Sequence, residues 1–114
     1  MDTKQFEKVL EVRIAAIQQT LGNKAKEYAI GDRLYNFKRA AEISRTSPQK
    51  ALVGMLMKHL VSVLDLAEGS LPPTEYYINE KIGDAINYLI LLEAVLKEPI
   101  IHLIEDEEFY KNRT

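Results

Sequence analysis

Apolar residues recur along this chain at steps of three and four, and no stretch alternates apolar with polar in the manner of a strand. The pattern predicts five helical segments. Over residues 3–21 it sets Phe6, Val9, Leu10, Ile14, Ile17 and Leu21 on one face of an amphipathic helix, with Gly22-Asn23 as a C-cap pair. Residues 24–31 read either as a helical turn or as an ordered loop closed by Gly31. Asp32 can cap a second helix over residues 33–44, in which Leu34, Phe37, Ala40, Ala41 and Ile43 share a broad apolar face.

Ser47-Pro48 is a strong start signal, a capping side chain followed by proline at the first helical position. The third helix then runs to about Glu68 through Leu52, Met55, Leu56, Leu60, Val63, Leu64 and Leu66. Gly69-Ser70-Leu71-Pro72-Pro73 is the clearest loop, Thr74 opens a fourth helix to Lys97, and Pro99 ends it. A short fifth helix or frayed tail follows to Thr114. The fold expected is all-α: one domain, a bundle of four to five helices, the third and fourth antiparallel across the proline loop. At 114 residues such a bundle is expected to complete its core by pairing with a second copy.

Composition narrows the function. With no cysteine, disulfides and cysteine-based zinc or nucleophile chemistry are excluded. No apolar run approaches the ~20 residues that span a bilayer, and residues 1–7 lack a signal-peptide apolar region. A cytoplasmic protein that avoids membranes is expected. The net charge of −2 argues against nucleic acid as a partner. Its distribution is uneven: from Lys24 to Lys58 eight bases face three acids, and from Asp65 to Glu108 eleven acids face two bases. Either one site has a phosphate-facing and a metal-facing half, or the helices carry complementary solvated faces.

Three stretches could carry chemistry. Glu80, Asp84 and Asn87 form one line along the fourth helix, which is otherwise apolar over most of its circumference, so the line is expected to be partly buried. Buried carboxylates one turn apart need a cation or a basic partner. Magnesium suits two carboxylates plus substrate phosphates; the alternative is pairing with Lys81, His59 or a base on a neighbouring helix. Gly83 costs a helix interior ~1 kcal/mol relative to alanine, which suggests close approach of another helix or a ligand.

On the third helix Lys58, His59, Ser62 and Asp65 interrupt an apolar run. Facing the fourth helix, His59 could hydrogen-bond a phosphate or a carboxylate and Asp65 could join a metal or position a water. Lys58 would serve as a phosphate cation or snorkel at the surface. Between residues 24 and 39, Lys26, Arg33 and Lys38 could meet phosphates, Tyr28 or Tyr35 could stack on a base and Asn36 could read a base edge. The alternative is a solvated charged segment with its aromatics in the core, where Phe37 belongs. The acids Glu105 to Glu108 read as a solvated charge run, and there is no P-loop, G-x-G-x-x-G or zinc spacing.

Taken together, K-x-K-E-Y-x-x-G-D-R-x-x-N-F-K-R-A-A, K-H-x-x-S-x-x-D and E-K-I-G-D-x-I-N-Y-L-I-L-L-E resemble small phage and prophage proteins of the nucleotide-modification-associated type. These are regarded as distant members of the MazG-like all-α nucleoside triphosphate pyrophosphohydrolases. The resemblance covers residues 24–96, and its most specific part is E-x-x-x-D-x-x-N. It implies magnesium held by acids of two antiparallel helices around a nucleoside triphosphate, attack by a positioned water, and departure of pyrophosphate. The resemblance carries Glu80 and Asp84 over to metal-ligand positions and Asn87 to a polar position; with Asp65 of the third helix, Glu80 and Asp84 are the expected metal-binding and catalytic residues. Lys26, Tyr28, Arg33, Asn36, Lys38, Lys58, His59 and Asn87 contact the nucleotide, in a homodimer within a bacterial host. The chain departs from the enzymes where they carry E-x-x-E on the preceding helix, and its second motif has the glutamate one place earlier. A second expectation is therefore a non-catalytic accessory protein on the same scaffold, binding a nucleotide signal or a protein partner.

Overall fold

The structure, a computed structural model, describes residues 1–23 and 31–104. All regular structure among them is helical, in the order α1 (Thr3–Ile17), α2 (Tyr35–Ser44), α3 (Pro48–Glu68), α4 (Glu75–Lys97) and a single turn α5 (Ile101–Leu103). No helix among the described residues is long and apolar enough to cross a membrane.

Helix starts follow the capping chemistry. Asp2 and Gln5 form a reciprocal capping box at α1, and the Ser47 hydroxyl accepts from the Lys50 amide at 3.3 Å ahead of Pro48. The Thr74 hydroxyl accepts from the Tyr77 amide at 3.1 Å. Gly69 ends α3 in the left-handed conformation at φ 88°, which only glycine adopts without a Cβ penalty, so the proline loop can turn the chain back into α4.

Two ends differ from expectation. After α1 the chain widens into a π-helical stretch, Gln18–Asn23, and Gly22 does not take the left-handed turn of a C-cap. The first glycine to do so is Gly31, at φ 84°. Asp32 does not cap α2 at the expected place; its carboxylate accepts from the Leu34 amide at 2.9 Å, forming a turn that delays the helix to Tyr35.

The core is small and centred on α3. Leu52 is fully buried among Leu34 and Phe37 from the α2 side and Val95 near the end of α4, with Met55, Tyr88, Leu91 and Leu92 packed around them. Leu52 meets α4 near its C-terminus and His59 meets it at Asp84 and Tyr88, nearer its start, so α3 and α4 run antiparallel as expected. Lys38 binds the carboxylates of Asp32 and, at 2.8 Å, Glu98, tying α2 to the chain just past α4. The hydrogen bond from Lys38 lowers the Asp32 pKa, and the same bond raises that of Lys38, with Glu98 adding to it.

Several positions expected in the core are not there. α1 buries none of its residues; Phe6, Val9, Leu10 and Ile14 stand in water, as do Ile43 of α2 and Leu64 of α3. A periodic pattern states that a face is apolar but not what covers it, and α1 touches the bundle along one edge of α4.

Candidate functional site

Of the residues singled out on α3 and α4, His59 and Asp84 meet where those helices cross. His59 stacks on Tyr88 at 4.5 Å between ring centroids with an interplanar angle of 29°, and Tyr88 in turn takes the edge of Phe37 at 6.4 Å. A chain of three rings thus ties the core to the polar face. The Nδ1 of His59 lies 3.7 Å from Asp84 Oδ2. That is too long for a hydrogen bond, and it is an ion pair only when the imidazole is protonated. The Asp84 side chain keeps 42% of its surface in water, so the carboxylate is oriented yet open to an incoming cation.

One turn on, Asn87 is half-buried, and its Oδ1 is shut off from solvent without a hydrogen-bond partner among the described residues. A buried amide oxygen left unpaired costs about 1–3 kcal/mol. One turn back, the proximity of the Glu80 carboxylate, with a weaker contribution from the charge of Asp84, raises the Tyr76 pKa above its ordinary value. The sequence reading did not single out Tyr76. Its i, i+4 spacing to Glu80 was the signal that could have found it. Burial along the line is partial at Glu80, Asp84 and Asn87, as expected.

The remaining candidates are spread more widely. Asp65 is half-buried on α3; in the antiparallel register that sets His59 opposite Asp84, it falls opposite Ile78 rather than Glu80. No group of three His, Asp or Glu side chains among the described residues sits close enough to hold a metal as the helices stand. Ser62 turns its hydroxyl back to the Lys58 carbonyl at 3.3 Å and so serves its own helix rather than a pocket. Lys58 is exposed.

From residues 24–39, Arg33 donates to the Leu21 carbonyl at 2.7 Å, Lys38 is held by its two carboxylates, and Asn36 is exposed in the first turn of α2. Lys26 and Tyr28 lie outside the described residues, as do Glu105 to Glu108.

Gly83 has a specific cause. A Cβ there would lie 2.5 Å from Arg13 Nη1, so the bare backbone is what lets the α1 guanidinium lie across α4. Arg13 then donates to the Asn79 carbonyl at 3.1 Å. The neighbour that the glycine accommodates is a side chain of α1.

The arrangement is an all-helical domain with a histidine, two carboxylates one turn apart and an unpaired amide oxygen along one crossing. The chain matches no family model, no curated protein and no solved structure.

Proposed function

We propose that the α3–α4 crossing binds a nucleotide with magnesium, acting in phage nucleotide metabolism within the host cytoplasm. The observation that carries this reading is the unpaired, buried Oδ1 of Asn87 one turn from an accessible Asp84. An acceptor kept dry without a partner is a standing cost, which a donor on a ligand would remove. Asp84 and Glu80 would supply the hard oxygens magnesium prefers, with Asp65 of α3 as the third acid, and phosphates would complete the shell. Such a site forms only if small side-chain rotations bring the acids together on binding. His59, fixed by Tyr88, would face a phosphate oxygen, and Lys58 would add a positive charge near it. Lys26, Tyr28, Arg33, Asn36 and Lys38 are assigned to the phosphates and the nucleoside on their side-chain chemistry in the sequence.

Hydrolysis to a nucleoside monophosphate and pyrophosphate would need one of these acids to position the attacking water. A second reading, non-catalytic binding, is favoured by a specific feature: α3 offers Lys58, His59, Ser62 and Asp65 where the enzymes carry paired glutamates.

Thermal melts with a nucleotide panel, with and without magnesium, test the proposal, followed by an assay for released pyrophosphate. A rise in Tm that requires both nucleotide and magnesium, and is lost in Asp84→Ala, is expected. At a ligand concentration a hundredfold above Kd the stabilisation would be about 2.7 kcal/mol. Turnover lost with Asp84→Ala would mark the enzyme, and stabilisation without turnover the binder. A melt indifferent to every nucleotide and to magnesium would end both.

A further inference from the structure

We propose that the groove between α1 and α4 is covered by the same face of a second copy of this chain, making α1 the centre of a two-fold interface. The inference does not depend on the nucleotide reading.

The groove encloses about 890 Å³ and is almost wholly apolar: Phe6, Val9 and Leu10 form one wall, and Ile78, Ile82 and Ile86 the other. Phe6, Val9 and Leu10 are 59%, 54% and 50% exposed. Met1, Val12 and Ile78 extend the same exposed apolar lining, and a contiguous exposed apolar patch marks an interaction site. α1 buries none of its own residues, so its apolar face has no covering among the described residues.

Charge points to a second copy rather than a strongly acidic or basic partner. The rim carries both signs, Lys8 on α1 and Glu75 in the first turn of α4. A two-fold contact repeats any Lys8–Glu75 match on both sides, because residue i of one copy meets residue j of the other and the reverse. With a net charge of only −2, two copies repel one another weakly.

Arg13 sets the angle. Lying across Gly83 and bonded to Asn79, it holds α1 against one edge of α4 and leaves the Ile78, Ile82 and Ile86 side open.

Sedimentation of the full chain at micromolar concentration tests this. The unmodified chain is expected to be a dimer, and Val9→Glu to weaken it by roughly a hundredfold or more, since the carboxylate would be buried unpaired in the interface. Val9 is half in water in the single chain, so circular dichroism should show helicity retained. Met57→Glu, on the exposed side of α3, should leave the dimer intact.

Because the chain has no cysteine, Val9→Cys gives a second, milder probe, expected to trap a dimer with a short bismaleimide while Met57→Cys does not. A monomeric unmodified chain, or dissociation and cross-linking that follow Met57 instead of Val9, would overturn the proposal. A monomer that still gains stability from nucleotide and magnesium would overturn it alone and leave the functional reading standing.

Discussion

Replacing Leu52 with alanine is expected to cost 2–5 kcal/mol, the range for truncating a fully buried aliphatic side chain. In a domain this small that corresponds to a fall in Tm on the order of 10–20 °C, measured at fixed protein concentration. The position is exceptional because the side chain has no exposure at all and is the contact shared by Leu34, Phe37 and Val95. Few other side chains are so enclosed, so the surroundings have little with which to fill the space left behind. The effect should also reach the polar face, since Phe37 belongs to this cluster and braces Tyr88, on which His59 rests. A loss below about 1 kcal/mol would mean that the cluster is not the core of the fold.

The second large effect has the opposite sign. Asn87→Leu removes a buried acceptor that has no partner and substitutes an apolar side chain of similar size. The ligand-free protein should therefore gain about 1 kcal/mol or more in stability, read from chemical denaturation. The same variant should lose most of the magnesium-dependent nucleotide stabilisation. Stability and binding moving in opposite directions is the signature of a group held unpaired for a ligand. If Asn87→Leu instead destabilises the free protein, the amide is already satisfied in solution and its oxygen is no evidence of a site.

Legibility in the sequence varied with the kind of interaction. Local chemistry was readable: Ser47-Pro48, Thr74 and Gly69 fix the ends of α3 and α4 through bonds made within a few residues. Phe37 and Leu52 were readable as core because a broad apolar face on α2 and a long apolar run on α3 must meet something. α1 was not. Its stripe has the same periodicity as a core helix, yet the chain folds with that stripe in water. The delayed start of α2 was not visible either: the Tyr35 amide closes a turn on the Asp32 carbonyl before the helix begins, which a capping residue alone does not reveal.

At the site, the line of Glu80, Asp84 and Asn87 was visible from helical spacing, and its approach to His59 followed from the antiparallel loop. The stacking of His59 on Tyr88, the back-bonding of Ser62 and the seat of Arg13 on Gly83 were not visible. Each depends on side-chain direction across or along a helix, which spacing alone does not give.

The central claim is that magnesium and a nucleotide meet at the α3–α4 crossing, and paramagnetic relaxation with manganese in place of magnesium examines it most directly. In the amide NMR spectrum of the nucleotide-loaded chain, trace manganese should broaden signals from residues 80–88 and from the facing turns around His59 and Asp65. Broadening confined to other acidic segments, such as residues 105–108, or spread evenly over the chain, would contradict it.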